Sequence, residues 1–148
     1  MLMLKRYKFW LTAAVIFLFL NAVFHTISLF VSLPATNDTE RQMADLMNNY
    51  KFDLGAGFHP TFSNMFTALS SCFSFVCLLG GLTLGYALFK DIEPGAMKGI
   101  IGIHLLVFGG MFIVMAVFTF IFPIVLTGLI FVNLLAAFLS APKAASLA

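Results

Sequence analysis

Long apolar runs separated by short charged stretches dominate this chain. No charged residue occurs from Phe9 to Leu33, a run preceded by Lys5, Arg6 and Lys8 and followed by Pro34. Phe62 to Phe89 is a second uncharged run, after which Lys90, Asp91, Glu93 and Lys98 gather around Pro94-Gly95. From Gly99 to Pro142 there is again no charge, over about twice the roughly 20 residues that one membrane span needs. Pro123, in Phe-Ile-Phe-Pro, divides that stretch, because its ring clashes with the preceding turn and its missing N–H removes a helix bond. The pattern predicts four helices, at about 9–33, 62–89, 99–120 and 123–140, within a single domain over 1–148. The basic start of the first suggests a secretory signal. Its apolar part, however, exceeds the roughly 7–15 residues of a signal core and no small-x-small site follows, so a retained helix is expected.

Residues 34–61 have a different rhythm. Met43, Leu46, Met47 and Tyr50 recur at helical spacing behind the cap candidates Asp38 and Thr39, with Glu40 in the first turn where the helix dipole favours an anion. A short amphipathic helix is expected, lying on the membrane surface or capping the bundle with its apolar stripe. Gly55 and Gly57 permit a tight return, and Pro60 suits the start of the next helix. Asn37-Asp38-Thr39 matches a glycosylation sequon, whose use is not expected without a eukaryotic secretory route.

Composition turns these helices into spans. Of the 148 residues 61% are apolar and 9% charged, against about 45–50% and about 25% for a soluble domain. Eight Lys+Arg and six Asp+Glu cannot coat a water-soluble surface of this size, so lipid is expected as the solvent of most of it. Lys5, Arg6, Lys8, Lys90, Lys98 and Lys143 fall on one side of a four-span arrangement, and Arg41 and Lys51 on the other. Lys and Arg near span ends stay cytoplasmic, which places both termini and the 90–98 turn inside and the 34–61 loop outside. The turn at Pro123 has no charge, which leaves a re-entrant or interfacial last segment as the alternative to a fourth crossing. A net charge of +2 with no basic stripe gives no reason to expect nucleic-acid binding.

Thr-Glu-Arg-Gln-Met at 39–43, Met-Asn-Asn-Tyr-Lys-Phe-Asp-Leu-Gly at 47–55 and the Thr61-Phe-Ser-Asn-Met-Phe entry to the second long helix resemble a family of small bacterial four-helix membrane proteins. In size and span count alone the chain is also similar to DoxX-like membrane proteins. The resemblance implies an all-α, multi-pass protein of the bacterial inner membrane and carries over no catalytic residues.

Polar side chains inside the spans are the candidates for chemistry. Asn21, His25 and Ser28 share one face of the first helix, and Thr67, Ser70, Ser71 and Ser74 form a hydroxyl-rich side of the second. Polar groups at membrane depth point inward, as interhelical hydrogen-bonding groups or as the wall of a small polar pocket in which His25 binds a ligand or relays a proton. Asn21, His25, Ser28, Thr67, Ser70 and Ser74 are the candidate ligand-binding residues. Cys77, Gly81, Gly85, Gly109 and Gly110 are the candidate packing positions, Gly81-Leu-Thr-Leu-Gly85 being a small-xxx-small pattern. Asn133 is expected to pack in the same way. Trp10 and Tyr7 are the expected interface anchors.

Several activities are disfavoured. Cys72 and Cys77 form neither CxxC nor a ligand cluster, and read as buried thiols. At helical rise His25 and His104 differ in depth by roughly 16 Å, too much for one haem iron. No metal and no cofactor are expected. No Asp or Glu lies within a span, against proton-coupled cation export. No GxSxG elbow, HExxH, Walker loop or EF-hand is present. The leading expectation is a non-enzymatic accessory or assembly subunit, or a homo-oligomer, acting through helix packing among membrane lipids. The competing one is a binder or carrier of a lipid or quinone between the first two long helices. A quinone-linked oxidoreductase component is a more distant third, resting on analogy of layout.

Overall fold

A computed structural model of the chain describes residues 2–31 and 34–142, with side chains from Arg6 onward. Leu33 and Lys143, and the side chain of Lys5, on which one span end and two of the inner-face cations rest, lie outside the described residues. The fold is all-α. Five helices follow in order: α1 (Leu2–Ser28), α2 (Asp38–Asn49), α3 (Phe62–Phe89), α4 (Pro94–Phe118) and α5 (Ile121–Ser140). Four of them, α1, α3, α4 and α5, are long and apolar enough to cross a membrane. No strand occurs among the described residues, only an isolated antiparallel bridge between Lys51 and Thr61.

The sequence reading places α3 at its observed bounds and shifts the ends of the others. α1 begins at Leu2, since nothing in its basic start breaks a helix, and it ends at Ser28 rather than Leu33. Beyond it Leu29, Phe30 and Val31 donate to the carbonyls of Thr26, Ile27 and Ser28, the tighter bonding that closes a helix end. α4 starts at Pro94 rather than Gly99, because the Glu93 carboxylate accepts from the Ala96 amide and proline sits in the first turn, where it forfeits no bond. It stops at Phe118, with Thr119 extended. α5 then begins at Ile121, so Pro123 lies in the first turn of that helix rather than at its first residue. The cap of α2 is Asn37, whose side-chain oxygen accepts from Glu40 N at 2.9 Å, rather than Asp38 or Thr39.

The chain divides into two compact units, residues 1–21 with 76–148, and residues 22–75. In the first, Leu11, Leu18, Leu84, Met97, Ile101, Ile130 and Leu134 are fully buried. Several of its glycines are notches filled by phenylalanines of neighbouring helices. A Cβ at Gly80 would lie 2.7 Å from the Phe108 ring, one at Gly81 3.2 Å from Phe19, one at Gly109 3.2 Å from Phe131, and one at Gly128 3.2 Å from Phe112. Tyr7, expected at the interface, is instead buried in this core. The Lys8 ammonium pairs with Asp91, the left-handed residue (φ 48°) of the turn before α4.

In the second unit, α2 has no buried residue. A hairpin joins it to α3: Phe52 N donates to Pro60 O at 3.0 Å, and Leu54 N to Phe58 O at 3.2 Å. Its tip carries three successive positive φ values, at Gly55 (79°), Ala56 (50°) and Gly57 (78°), which is why glycine is needed on either side. The Asp53 carboxylate accepts from Gly55 N and fixes the turn.

Candidate functional site

Only a few of the long helices' polar side chains are buried, so their partners decide what each can do. In the first unit, Asn21 is buried and its amide donates to Cys77 Sγ at 3.4 Å. This is a neutral polar contact across α1 and α3, and the thiol is a weak acceptor. Cys72 is exposed, contrary to the expectation that both thiols are buried. Asn133 is buried but satisfies itself, donating to Leu129 O at 2.7 Å within α5. Thr127, also buried, donates to Pro123 O at 2.7 Å in the same helix. Among the described residues neither makes a side-chain hydrogen bond to another helix, so the packing role expected for Asn133 rests on shape.

His104 is bonded at both ring nitrogens. Its Nδ1 lies 2.9 Å from Ile100 O, an acceptor only, so Nδ1 carries the proton. Its Nε2 lies 2.9 Å from Thr83 Oγ1, and the ring stacks on Phe108 at 6.2 Å. Nothing local along the chain marks this α3–α4 pair, since a hydroxyl at 83 and an imidazole at 104 meet only once the helix register is known. With both nitrogens occupied, this histidine offers no free position to a ligand.

His25, in the second unit, is the opposite case. Its ring sits edge-on to Phe73 at 4.7 Å, and the Ser70 backbone is its neighbour. Nε2 is buried with no hydrogen-bond partner, and so is the hydroxyl of Ser74, a residue 8% exposed. Two buried polar atoms without partners in one unit cost free energy of order 1–3 kcal/mol each unless something satisfies them. Ser70 is buried as well. Ser28 and Thr67 are exposed, and the Ser28 hydroxyl donates to His25 O at 2.7 Å. Of the six candidate ligand residues, then, Ser70 and Ser74 are buried and His25 half-buried in the second unit, and Asn21 is buried in the first.

The packing candidates divide as clearly. Cys77, Gly81 and Gly109 are buried against Asn21, Phe19 and Phe131, and a Cβ at Gly85 would meet Val15 at an ordinary 3.7 Å. Gly110 has nothing within 4 Å of such a Cβ. It lies on α4 among Ile103, Leu106, Ile113 and Val117, all exposed, and the most apolar stretch of α4 is 11% buried against 28%, 33% and 28% for α1, α3 and α5. The one charge well inside that helix, Lys98, turns back to Ala141 O at 3.3 Å and lies over the Phe138 ring at 5.0 Å.

Among the described residues no group of three or more His, Cys, Asp or Glu is placed to hold a metal ion. No family model, curated protein or solved structure matches the chain.

Proposed function

We propose that this is a multi-pass protein of the bacterial inner membrane, with both termini cytoplasmic, that acts by association rather than by chemistry: an accessory or assembly subunit, or a homo-oligomer. The outward face of α4 carries the reading. Whereas Gly102, Gly109 and Gly128 are occupied by the chain's own phenylalanines, Gly110, like Gly99, stands open, and it lies within a row of exposed branched side chains. Small residues let transmembrane helices approach closely, and dispersion between close-packed helices drives their association in lipid. Native mass spectrometry in mild detergent tests this. A defined oligomer or a copurifying subunit, lost on Gly110→Leu, is the expected result. A strict monomer with no companion contradicts it.

A second reading is favoured by a different observation, the unpartnered His25 Nε2 and Ser74 hydroxyl. The polar end of an otherwise apolar molecule between α1 and α3, a lipid or quinone, would supply such a partner. Extraction of bound lipids from the wild type and His25→Ala decides it, since identical profiles remove the reason to favour His25.

A further inference from the structure

No residue of the amphipathic helix α2 is buried. Met43, Leu46 and Tyr50 are 59%, 62% and 58% exposed, so the stripe has no cover within its own unit. At about 100° per residue, these three and Met47 fall within an arc of about 100°, and Asn48 lies about 150° from its centre. Asn48 is nevertheless where α2 meets α3: its side-chain oxygen accepts from the hydroxyl of Ser63, in the first turn of α3. The Lys51–Thr61 bridge and the Phe52–Pro60 bond reinforce the same junction. The C-terminal end of α2 is thus tied to the start of a span by its polar side, and its apolar side is left facing away.

Length sets the depth of that junction. The 28 residues of α3 extend about 42 Å at 1.5 Å per residue, roughly 12 Å more than a hydrocarbon core of about 30 Å. Its first turns therefore reach through the headgroup layer, which puts α2 beside them at that level. Leu54 and Phe58 on the hairpin and Phe62 at the start of α3 are exposed too, so the segments that follow α2 also present apolar side chains. Asp38, Glu40 and Asp45 against Arg41 give the helix a net negative charge, so attraction to anionic headgroups does not hold it down. The tether does, because a helix fixed to a span is already at high effective concentration at the surface and needs little affinity of its own.

The geometry points to α2 as an interfacial helix whose Met43–Leu46–Tyr50 stripe is seated among the lipids of the headgroup region, beside the first turns of α3. This rests on the membrane reading above. The chain has one tryptophan, Trp10, which makes a direct test practicable. In a Trp10→Phe background, Leu46→Trp, Tyr50→Trp, Asp45→Trp and Leu106→Trp would each be reconstituted into phosphatidylethanolamine–phosphatidylglycerol vesicles containing acyl-brominated lipid. Leu106, on the exposed face of α4, reports membrane insertion itself. The expected result is quenching at Leu46→Trp and Tyr50→Trp, strongest with bromines near the headgroup and unchanged by salt, with Asp45→Trp on the polar side unquenched. Quenching at Leu106→Trp alone overturns the interfacial assignment and leaves the membrane reading intact. A blue-shifted but unquenched signal at Leu46→Trp and Tyr50→Trp would mean that protein covers the stripe, and overturns it equally. Absence of quenching at all four sites removes both the assignment and the reading beneath it.

Discussion

Replacing Gly80 by alanine isolates the glycine–phenylalanine packing on which the first unit depends. The added Cβ would lie 2.7 and 2.8 Å from Cζ and Cε2 of Phe108, and 3.6 Å from Leu18 Cδ1. Carbon atoms are in optimal contact at about 3.5–4.0 Å, so the Phe108 ring must retreat by roughly 1 Å. It has little room, being 2% exposed and stacked on His104. Overpacking of this kind costs about 1–3 kcal/mol, and the greater helix propensity of alanine returns about 1. Gly99→Ala on α4 is the matched control, with nothing within 4 Å of its new methyl, and only the propensity gain applies. The two variants should therefore differ by roughly 1–3 kcal/mol in the stability read from unfolding of the helices by sodium dodecyl sulfate in mixed micelles. Phe108→Leu in the Gly80→Ala background should recover part of the loss, a coupling expected only of groups in contact. Equal stability of Gly80→Ala and Gly99→Ala, or strict additivity with Phe108→Leu, would refute the reasoning.

Cys77→Ala leaves the buried Asn21 amide without its acceptor and should cost about 1–3 kcal/mol in the same titration, whereas Cys77→Ser, which keeps an acceptor, should cost less. Hydrogen bonds from the Gly95 and Ala96 amides hold the Glu93 carboxyl below the usual carboxylate range, and those from the Thr36 amide and hydroxyl do the same for Glu40. Stability from either cap is fully present above the ordinary carboxylate pKa and is lost as pH falls through the depressed value. Protection factors for amide exchange in the first turns of α2 and α4, that is, rates corrected for the intrinsic pH dependence of exchange, should accordingly fall on acidification below about pH 4, and that fall should vanish at each site in Glu40→Gln and Glu93→Gln. His104→Ala should leave Thr83 hydrogen-bonded to its own helix, where its hydroxyl lies 2.9 Å from Leu79 O, so the α3 backbone signals near Leu79 should stay in place while Phe108 loses its stacking neighbour.

How much of this was legible in the chain depended on whether a signal was local. The bounds of α3 were readable because Pro60 marks the entry to an apolar run that Lys90 ends. The early start of α4 was hidden behind Lys98, a charge that the run-length criterion treats as a boundary but that the fold absorbs through Ala141 O and the Phe138 ring. The end of α1 at Ser28 fell inside an apolar run with no breaker before Pro34. Small residues at 81 and 109 were recognisable as packing positions; their partners Phe19 and Phe131 were not, because helices that are apolar all round carry no periodic mark of which face meets which neighbour. The same lack of register concealed the Thr83–His104 pair. In the candidate site, His25, Ser70 and Ser74 stood out as polar residues in apolar surroundings, but it takes the packed helices to show that Nε2 and the Ser74 hydroxyl have no partner among the described residues while both nitrogens of His104 have one.

Everything proposed for α4, α2 and His25 presupposes four membrane crossings with both ends of the chain on the cytoplasmic side. Paired fusions of a reporter active only inside the cell and one active only outside, placed in the 34–61 loop, in the 90–98 turn and after Lys143, measure this directly. The account predicts external activity at the loop and internal activity at the other two positions. External activity after Lys143 would contradict it, because α5 would then not cross.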